Sequence, residues 1–187
     1  MPILKAMSIE EINRLVIQKC EALSIAPPKR LVWVSIREQR LRLIENGVAV
    51  LDLPASTSRN PPSCERDSFG TPIGLHAIGA KIGGGAPEGC VFKGRVAIAR
   101  HYSEMPSEAQ AGNLITSRIL RLRGLDPELN AREGHNAWER YVYIHGTNHE
   151  ERLGEPFSGG CVELANSAVI ALFRLVDEGD LVWISLE

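Results

Sequence analysis

The sequence lacks the features that mark several large functional classes. Its net charge is only −2, and its basic residues are scattered among acidic ones, so no positive stripe is available to follow a nucleic-acid backbone. No apolar run is long enough to span a bilayer. Near the start, Glu10 and Glu11 precede any apolar run of useful length, which is not the pattern of a secretory signal. We therefore expect a chain that does not bind nucleic acid, is not an integral membrane protein and is consistent with a cytoplasmic location.

Cysteine is scarce and dispersed. The four cysteines, Cys20, Cys64, Cys90 and Cys161, form no CxxC pair, so their spacing predicts neither a zinc knuckle nor a redox dithiol. Spacing leaves open whether Cys64 and Cys90 form a disulfide. The glycine-rich segment 77–90 has no Gly-Lys-Ser/Thr sequence, and we interpret it as a flexible loop that binds no phosphate.

The amino-terminal part of the chain predicts one amphipathic helix, residues 8–23. Ser8 followed by Glu11 is a capping box, and the proline pair 27–28 ends the segment. Apolar residues recur at helical steps at Ile9, Ile12, Val16, Cys20 and Leu23. We expect residues 1–29 to form a helical extension whose apolar stripe packs on its own domain, on a second copy or in the groove of a partner.

The remaining residues, 30–187, predict a mainly β domain. From Leu31 the apolar period is two, and Asn46-Gly47 separates two alternating runs, which is typical of a tight hairpin. Further runs typical of strands lie at 91–99, 115–122, 141–144 and 181–185. The intervening segment 79–114 is either a lid or an ordinary surface excursion.

The last predicted helix follows Cys161. Asn166 or Ser167 caps it, and Gly179 lies just past its end. Its apolar face consists of Val169, Ile170, Leu172, Phe173 and Val176. We therefore expect Cys161 to lie in a loop ahead of a helix.

Cys161 has the local sequence that a nucleophile needs. Gly159 and Gly160 leave the backbone free to turn and to present N–H groups to a developing oxyanion. His145, at the end of the predicted strand 141–144 and followed by Gly146, is the best candidate for its base. On spacing alone, the alternative of a buried inert thiol and a core histidine is favoured.

A metal site is a weaker interpretation of the same residues. His145, His149 and Cys161, with Glu150 or Glu151, supply suitable ligand types. However, Gly146 and Thr147 interrupt any helix that would bring the two imidazoles onto one face. We expect no metal and no other cofactor.

Two motifs decide between these interpretations. His145-Gly146-Thr147 and Ser158-Gly159-Gly160-Cys161, at their separation in the chain, resemble the L,D-transpeptidase catalytic domain, or YkuD domain, whose motifs are His-Gly-Thr and Ser-His-Gly-Cys-Ile-Arg. Segments 34–57, 69–78 and 115–125 resemble its opening β-meander, its Thr-Pro-x-Gly segment and the strand ahead of its histidine. The likeness covers residues 31–186.

The resemblance implies a mixed β fold, barrel-like or sandwich-like, with a few helices and with the cysteine in a cleft. It also implies two-step acyl transfer on peptidoglycan stem peptides in the bacterial cell envelope. The cysteine attacks the bond between the third residue and the terminal D-Ala and forms a thioester. An amine of another stem then resolves the thioester, or water does so in an L,D-carboxypeptidase.

The resemblance also implies roles for individual residues. Cys161 is the nucleophile, His145 its base, and the backbone around Gly160 stabilises the oxyanion, while Gly146 orients the imidazole through its main chain. Ser158 and Asn166 match polar positions that shape the loop. Arg118 matches a recurrent arginine with a structural or substrate-contacting role.

Two positions depart from the family motif. Gly159 replaces the motif histidine, which removes a donor or a pocket wall near the thiol. Glu163 replaces the motif arginine and would repel a substrate carboxylate in the pocket. Three hypotheses remain: an active enzyme of altered specificity, a binding protein without turnover, and a cysteine acyltransferase or peptidase that acts on another substrate.

Overall fold

The amino-terminal helix forms as its sequence predicts. The computed structural model describes residues 7–187, and helix α1 spans Ile9–Ala22. The Ser8 hydroxyl accepts from the Glu11 amide at 3.2 Å, and the Glu11 carboxylate accepts from the Ser8 amide at 2.7 Å. This capping box satisfies two amide groups that the first helical turn leaves unpaired, which confirms the predicted start of the helix.

The apolar stripe of α1 packs on the protein's own sheet. Ile12, Val16 and Cys20 are fully buried and share one cluster with strand residues such as Trp33 and Leu75. Lys19 also forms an ion pair with the nearly buried carboxylate of Asp126. Of the three predicted ways of covering this stripe, the structure therefore has the intramolecular one.

The body of residues 7–187 is one mixed sheet of ten strands with two further helices. The strands are β1 Arg30–Ser35, β2 Arg40–Glu45, β3 Val48–Pro54, β4 Gly74–Ile82, β5 Cys90–Lys93, β6 Val96–His101, β7 Ile115–Gly124, β8 Tyr143–Gly146, β9 Val162–Leu164 and β10 Leu181–Ser185. The helices are α2 Ser107–Gln110 and α3 Asn166–Leu175, with single 3₁₀ turns at Tyr102–Glu104 and Glu150–Arg152. The expectation of a mainly β fold with few helices is confirmed.

The strand order is β3-β2-β1-β10-β4-β7-β5-β6, and β8 and β9 extend the sheet from β7. The pairs β1/β10 and β8/β9 are parallel, and the other pairs are antiparallel. Along β1, Val32 and Val34 point into the main core, which α3 covers, whereas Leu31 and Trp33 point toward α1. The period-two pattern thus buries both faces of the central strands.

Two-residue turns explain one confirmed prediction and one wrong one. Asn46 and Gly47 have φ of 50° and 80° between β2 and β3, as a type I′ hairpin requires. Segment 91–99, predicted as one strand, is instead divided between β5 and β6. Gly94 and Arg95 there have φ of 53° and 70°, so a second tight turn reverses the chain.

The segment after Cys161 also differs from its prediction. Cys161 is followed directly by strand β9, which separates it from α3. The N-cap position of α3 is Ala165, and no side chain caps the helix from there. The Asn166 amide donates instead to the Glu150 carboxylate at 2.7 Å, so the negative charge that favours a helix start comes from the preceding 3₁₀ turn.

We expect the buried His76 to make stability depend on pH. Its Nδ1–H donates to the Gly74 carbonyl at 3.0 Å, and its Nε2 accepts from Asn130 at 3.3 Å. Burial, the largest influence, lowers the pKa of His76 to about 4. The unfolded chain therefore binds more protons than the folded one between pH 6.5 and 4, and stability falls as the pH falls through this range.

From pH 7 to pH 5, this histidine alone should reduce the free energy of unfolding by about 2 kcal/mol. Urea denaturation of wild type and His76→Gln at both pH values measures the loss, which the variant should lack. An equal loss in both proteins would contradict the assignment.

Candidate active site

Three segments meet at a cleft of about 270 Å³ that contains Cys161. Its lining residues are Arg66, Asp67, Phe69, Glu139, Arg140, Tyr141, Val142, Gly159, Gly160 and Cys161. Cys161 is half-buried, whereas Cys20, Cys64 and Cys90 are buried, and all four thiols are free. Cys64 and Cys90 therefore form no disulfide, a point that their spacing left open. Of the four thiols, Cys161 is the most accessible to solvent.

Backbone groups at the start of β8 hold the sulfur of Cys161. The Tyr143 amide donates to Sγ at 3.4 Å, and the Cys161 thiol donates to the Tyr141 carbonyl oxygen at 3.6 Å. Sequence reasoning did not identify these tyrosines, because their main-chain contacts depend on the path of the strand and leave no side-chain signature.

His145 lies on β8 with 3% of its surface exposed. Its Nδ1–H donates to the Gly146 carbonyl at 2.8 Å, and the ring lies near enough to Cys161 for that thiol to raise the pKa of His145. Burial, the largest influence, lowers the pKa of His145. The influence of Cys161, the charge of Glu163 and the bond to Gly146 together outweigh burial and raise this pKa to about 9.

Gly146 fits its position because it has no side chain. A Cβ atom there would lie 2.8 Å from both the Asn166 Oδ1 and the Thr116 carbonyl oxygen. The side chain of Asn166 occupies that space and connects two strands. Its Oδ1 accepts hydrogen bonds from the hydroxyls of Thr116 at 2.6 Å and Ser117 at 2.5 Å. Its Nδ2 donates to the Thr147 carbonyl at 2.8 Å. Asn166 thus fixes the end of β8, and with it His145, to β7.

The loop before Cys161 is shaped by Ser158. Its hydroxyl donates to the Cys161 carbonyl at 2.6 Å and accepts from the Gly160 amide at 3.2 Å. Gly160 has a φ of +121°, a conformation that side chains disfavour. Gly159 is exposed, and a Cβ atom there would meet no atom within 4 Å, so the position of the family histidine opens onto the cleft.

Arg118 does not line the cleft. Its guanidinium donates to the carbonyls of Ala86 at 2.7 Å and Ser117 at 2.6 Å, and it lies over the ring of Phe173 at 5.6 Å. These contacts tie the glycine-rich loop to β7. The surroundings of Arg118 are those of a structural residue, one of the two roles that its sequence position allows.

Glu163 lies beside His145, beneath the cleft. The two residues are Cα partners in the parallel pair β8/β9, and Glu163 is 1% exposed. Its Oε1 accepts from Asn113 at 3.2 Å, while its Oε2 has no hydrogen-bond partner among residues 7–187. The charge of Glu163 acts on the imidazole of His145, and Glu163 is not among the residues that line the cleft.

Arg140 is a site residue that sequence reasoning missed. It lines the cleft and donates to the carbonyls of Ser63 at 3.0 Å and Gly70 at 2.9 Å and to the Ser68 hydroxyl at 3.2 Å. These bonds hold the 63–70 loop against the cysteine loop. A lone arginine between two predicted strands carries no sequence signal for such a role.

The other predicted features lie outside this arrangement. Within residues 7–187, no group of three or more His, Cys, Asp or Glu side chains is placed to hold a metal ion. His149 instead contacts the Gly112 carbonyl at 3.1 Å and Glu151 at 3.4 Å. No residue of segment 79–114 is among those that line the cleft, and no helix in the described part of the chain is long and apolar enough to cross a membrane.

Solved structures with a similar fold include L,D-transpeptidases. An L,D-transpeptidase from Mycobacterium smegmatis has a TM-score of 0.52 and 18% identity, over 86% of this chain and 60% of that one. L,D-transpeptidase 3 from Mycobacterium tuberculosis, in complex with a faropenem-derived adduct, has a TM-score of 0.53 and 18% identity, over 86% and 62%. The chain thus spans about three fifths of the length of these two proteins.

An L,D-transpeptidase from Xylanimonas cellulosilytica DSM 15894 has a TM-score of 0.51 and 18% identity, over 90% of this chain and 68% of that one. At these identities the likeness concerns the fold. A comparison with curated proteins gave no match. The family model of the L,D-transpeptidase catalytic domain, YkuD, matches residues 29–184, which is most of the chain. This protein therefore belongs to the L,D-transpeptidase catalytic-domain family.

Proposed function

We propose that this protein catalyses acyl transfer on peptidoglycan stem peptides in the bacterial cell envelope, with Cys161 as nucleophile. The observation that supports this most directly is a half-buried thiol in the lining of a cleft, near enough to the buried imidazole of His145 to raise its pKa. A cysteine paired with a histidine is the minimal arrangement for thiolate attack on a carbonyl. Family membership supplies the substrate class.

In the first step, the Cys161 thiolate attacks the carbonyl carbon of the third stem residue, and the carbonyl electrons move onto oxygen. The oxyanion then re-forms the carbonyl, the bond to D-Ala breaks, and the imidazolium of His145 donates its proton to the departing amine. A thioester remains on Cys161. Since the Nδ1–H of His145 is engaged by Gly146, we assign the transferred proton to Nε2.

In the second step, an amine of another stem attacks the thioester, His145 accepts the amine proton, and the Cys161 thiolate leaves. Water in place of the amine yields the shortened stem of an L,D-carboxypeptidase. The Gly160 amide already donates to Ser158. We therefore assign oxyanion stabilisation to the neighbouring amides of Gly159 and Cys161.

The replacement of the motif histidine by Gly159 favours a second candidate, a family member that binds stem peptides without turning them over. Gly159 leaves no side chain above the thiol on the solvent side. Any donor that the family histidine contributes there is absent.

Replacing the nucleophile should abolish covalent chemistry. We expect wild type to form an adduct with faropenem and to convert tetrapeptide muropeptides into cross-linked dimers or shortened stems. Cys161→Ala should do neither, because no other thiol opens onto the cleft. Intact-protein and muropeptide mass spectrometry measure both reactions, with Cys64→Ala as a control that keeps Cys161. Products from Cys161→Ala would contradict the assignment.

The rate of the first step should fall as the pH rises through about 9, because His145 then loses the proton that the departing amine needs. Below this pH the imidazolium persists, since the pKa of His145 is raised. The kcat/KM for a tetrapeptide stem, measured from pH 6 to 10.5, gives the profile. His149→Asn, which alters a histidine outside the cleft lining, should keep the same basic limb. A rate that still climbs at pH 10 would count against this role.

Gly159→His tests the second candidate. The open space at Gly159 should accept the imidazole with a change in unfolding free energy within about 0.5 kcal/mol. We expect the added donor to speed formation of the faropenem adduct. The rate is measured by quenching the reaction at successive times and recording the intact-protein mass. An unchanged rate in a folded variant would show that the missing histidine does not limit the site.

A further inference from the structure

The carboxylate of Glu163 is buried without a full set of partners. It is 1% exposed, one oxygen accepts from Asn113, and the other has no hydrogen-bond partner among the described residues. A carboxylate in such surroundings is costly unless a positive charge compensates it. Within residues 7–187, no lysine, arginine or histidine forms a direct ion pair with Glu163, so any compensating charge acts on it from a greater distance.

The neighbouring group able to supply that charge is His145. The parallel register of β8 and β9 pairs the two residues directly, so their side chains lie on the same face of the sheet. From β7, the residue paired with His145 is Ile119, which carries no charge. From the segment before β7, Asn113 is neutral. The charged or titratable groups that act on His145 are therefore Glu163 on β9 and Cys161 in the loop before it.

We propose that Glu163 is a positioning residue that holds His145 in its imidazolium form and thereby keeps Cys161 as a thiolate. This inference rests on the proposed function and deepens it. No atoms are exchanged: the carboxylate favours the proton on the imidazole over the proton on sulfur. The carboxylate thus acts from beneath the cleft, through His145, and not by repelling the substrate.

The position of the substitution gives this inference its specificity. The family motif has an arginine where this chain has Glu163. A cation beside His145 would disfavour the imidazolium, whereas an anion favours it. Glu163 should therefore raise the pKa of His145, whereas an arginine at the same position would lower it. The raised pKa of His145 has the direction that this arrangement requires.

NMR titration of the His145 ring tests the inference without any substrate. Wild type, Glu163→Gln and Glu163→Asp are compared, with His145→Gln to assign the signal and Glu155→Gln as a matched control on an exposed carboxylate. We expect the pKa of His145 to fall by about one unit in Glu163→Gln, by less in Glu163→Asp, and not at all in the control.

Alkylation of Cys161 by iodoacetamide, followed by peptide mass spectrometry, gives a second measurement. At neutral pH, Glu163→Gln should react several-fold more slowly than wild type, because less of its thiol is ionised. The buried Cys20, Cys64 and Cys90 serve as internal references.

An unchanged His145 titration and an unchanged alkylation rate in folded Glu163→Gln would overturn the inference. If that variant does not fold, Glu163→Asp decides the matter, since it keeps the charge but withdraws it from the ring. Neither measurement depends on muropeptide turnover. A protein that turns over no stem peptide but shows the Glu163 effect would therefore refute the proposed function and leave this inference standing.

Discussion

The parallel pairing of β8 with β9 is the constraint on which the candidate site depends. It sets His145 opposite Glu163 and brings Cys161, the residue before β9, to the side of the imidazole. Each strand is short, and neither would hold this register alone. The antiparallel pairing of β8 with β7 and the hydrogen bonds of Asn166 to Thr116 and Ser117 anchor the pair to the rest of the sheet.

Burial and charge act against each other at His145, and charge prevails. The ring is enclosed by strands, which by itself favours the neutral imidazole. The influence of Cys161, the charge of Glu163 and the hydrogen bond to the Gly146 carbonyl together offset this cost. The surroundings of His145 therefore raise its pKa in spite of its burial.

The two departures from the family motif have different physical consequences. Gly159 lines the cleft, and a Cβ atom added there would meet no atom within 4 Å. Glu163 is buried, so its charge acts on the histidine through a medium of low polarity. The first change affects what approaches Cys161 from the cleft, and the second affects the protonation of the pair itself.

The sequence by itself determined the features that depend on local geometry or on a motif. Ser8 with Glu11, and Asn46 with Gly47, specify a helix start and a tight turn within a few residues, so no distant contact is needed to predict them. The two family motifs point to Cys161 and His145 as candidate site residues. Only the tertiary structure decided the rest. Strand β9 is too short to show an apolar period. Arg140 donates to carbonyls that are far away in the chain, and the burial of Glu163 follows from the strands packed around it. Each of these features depends on contacts between segments that are distant in sequence.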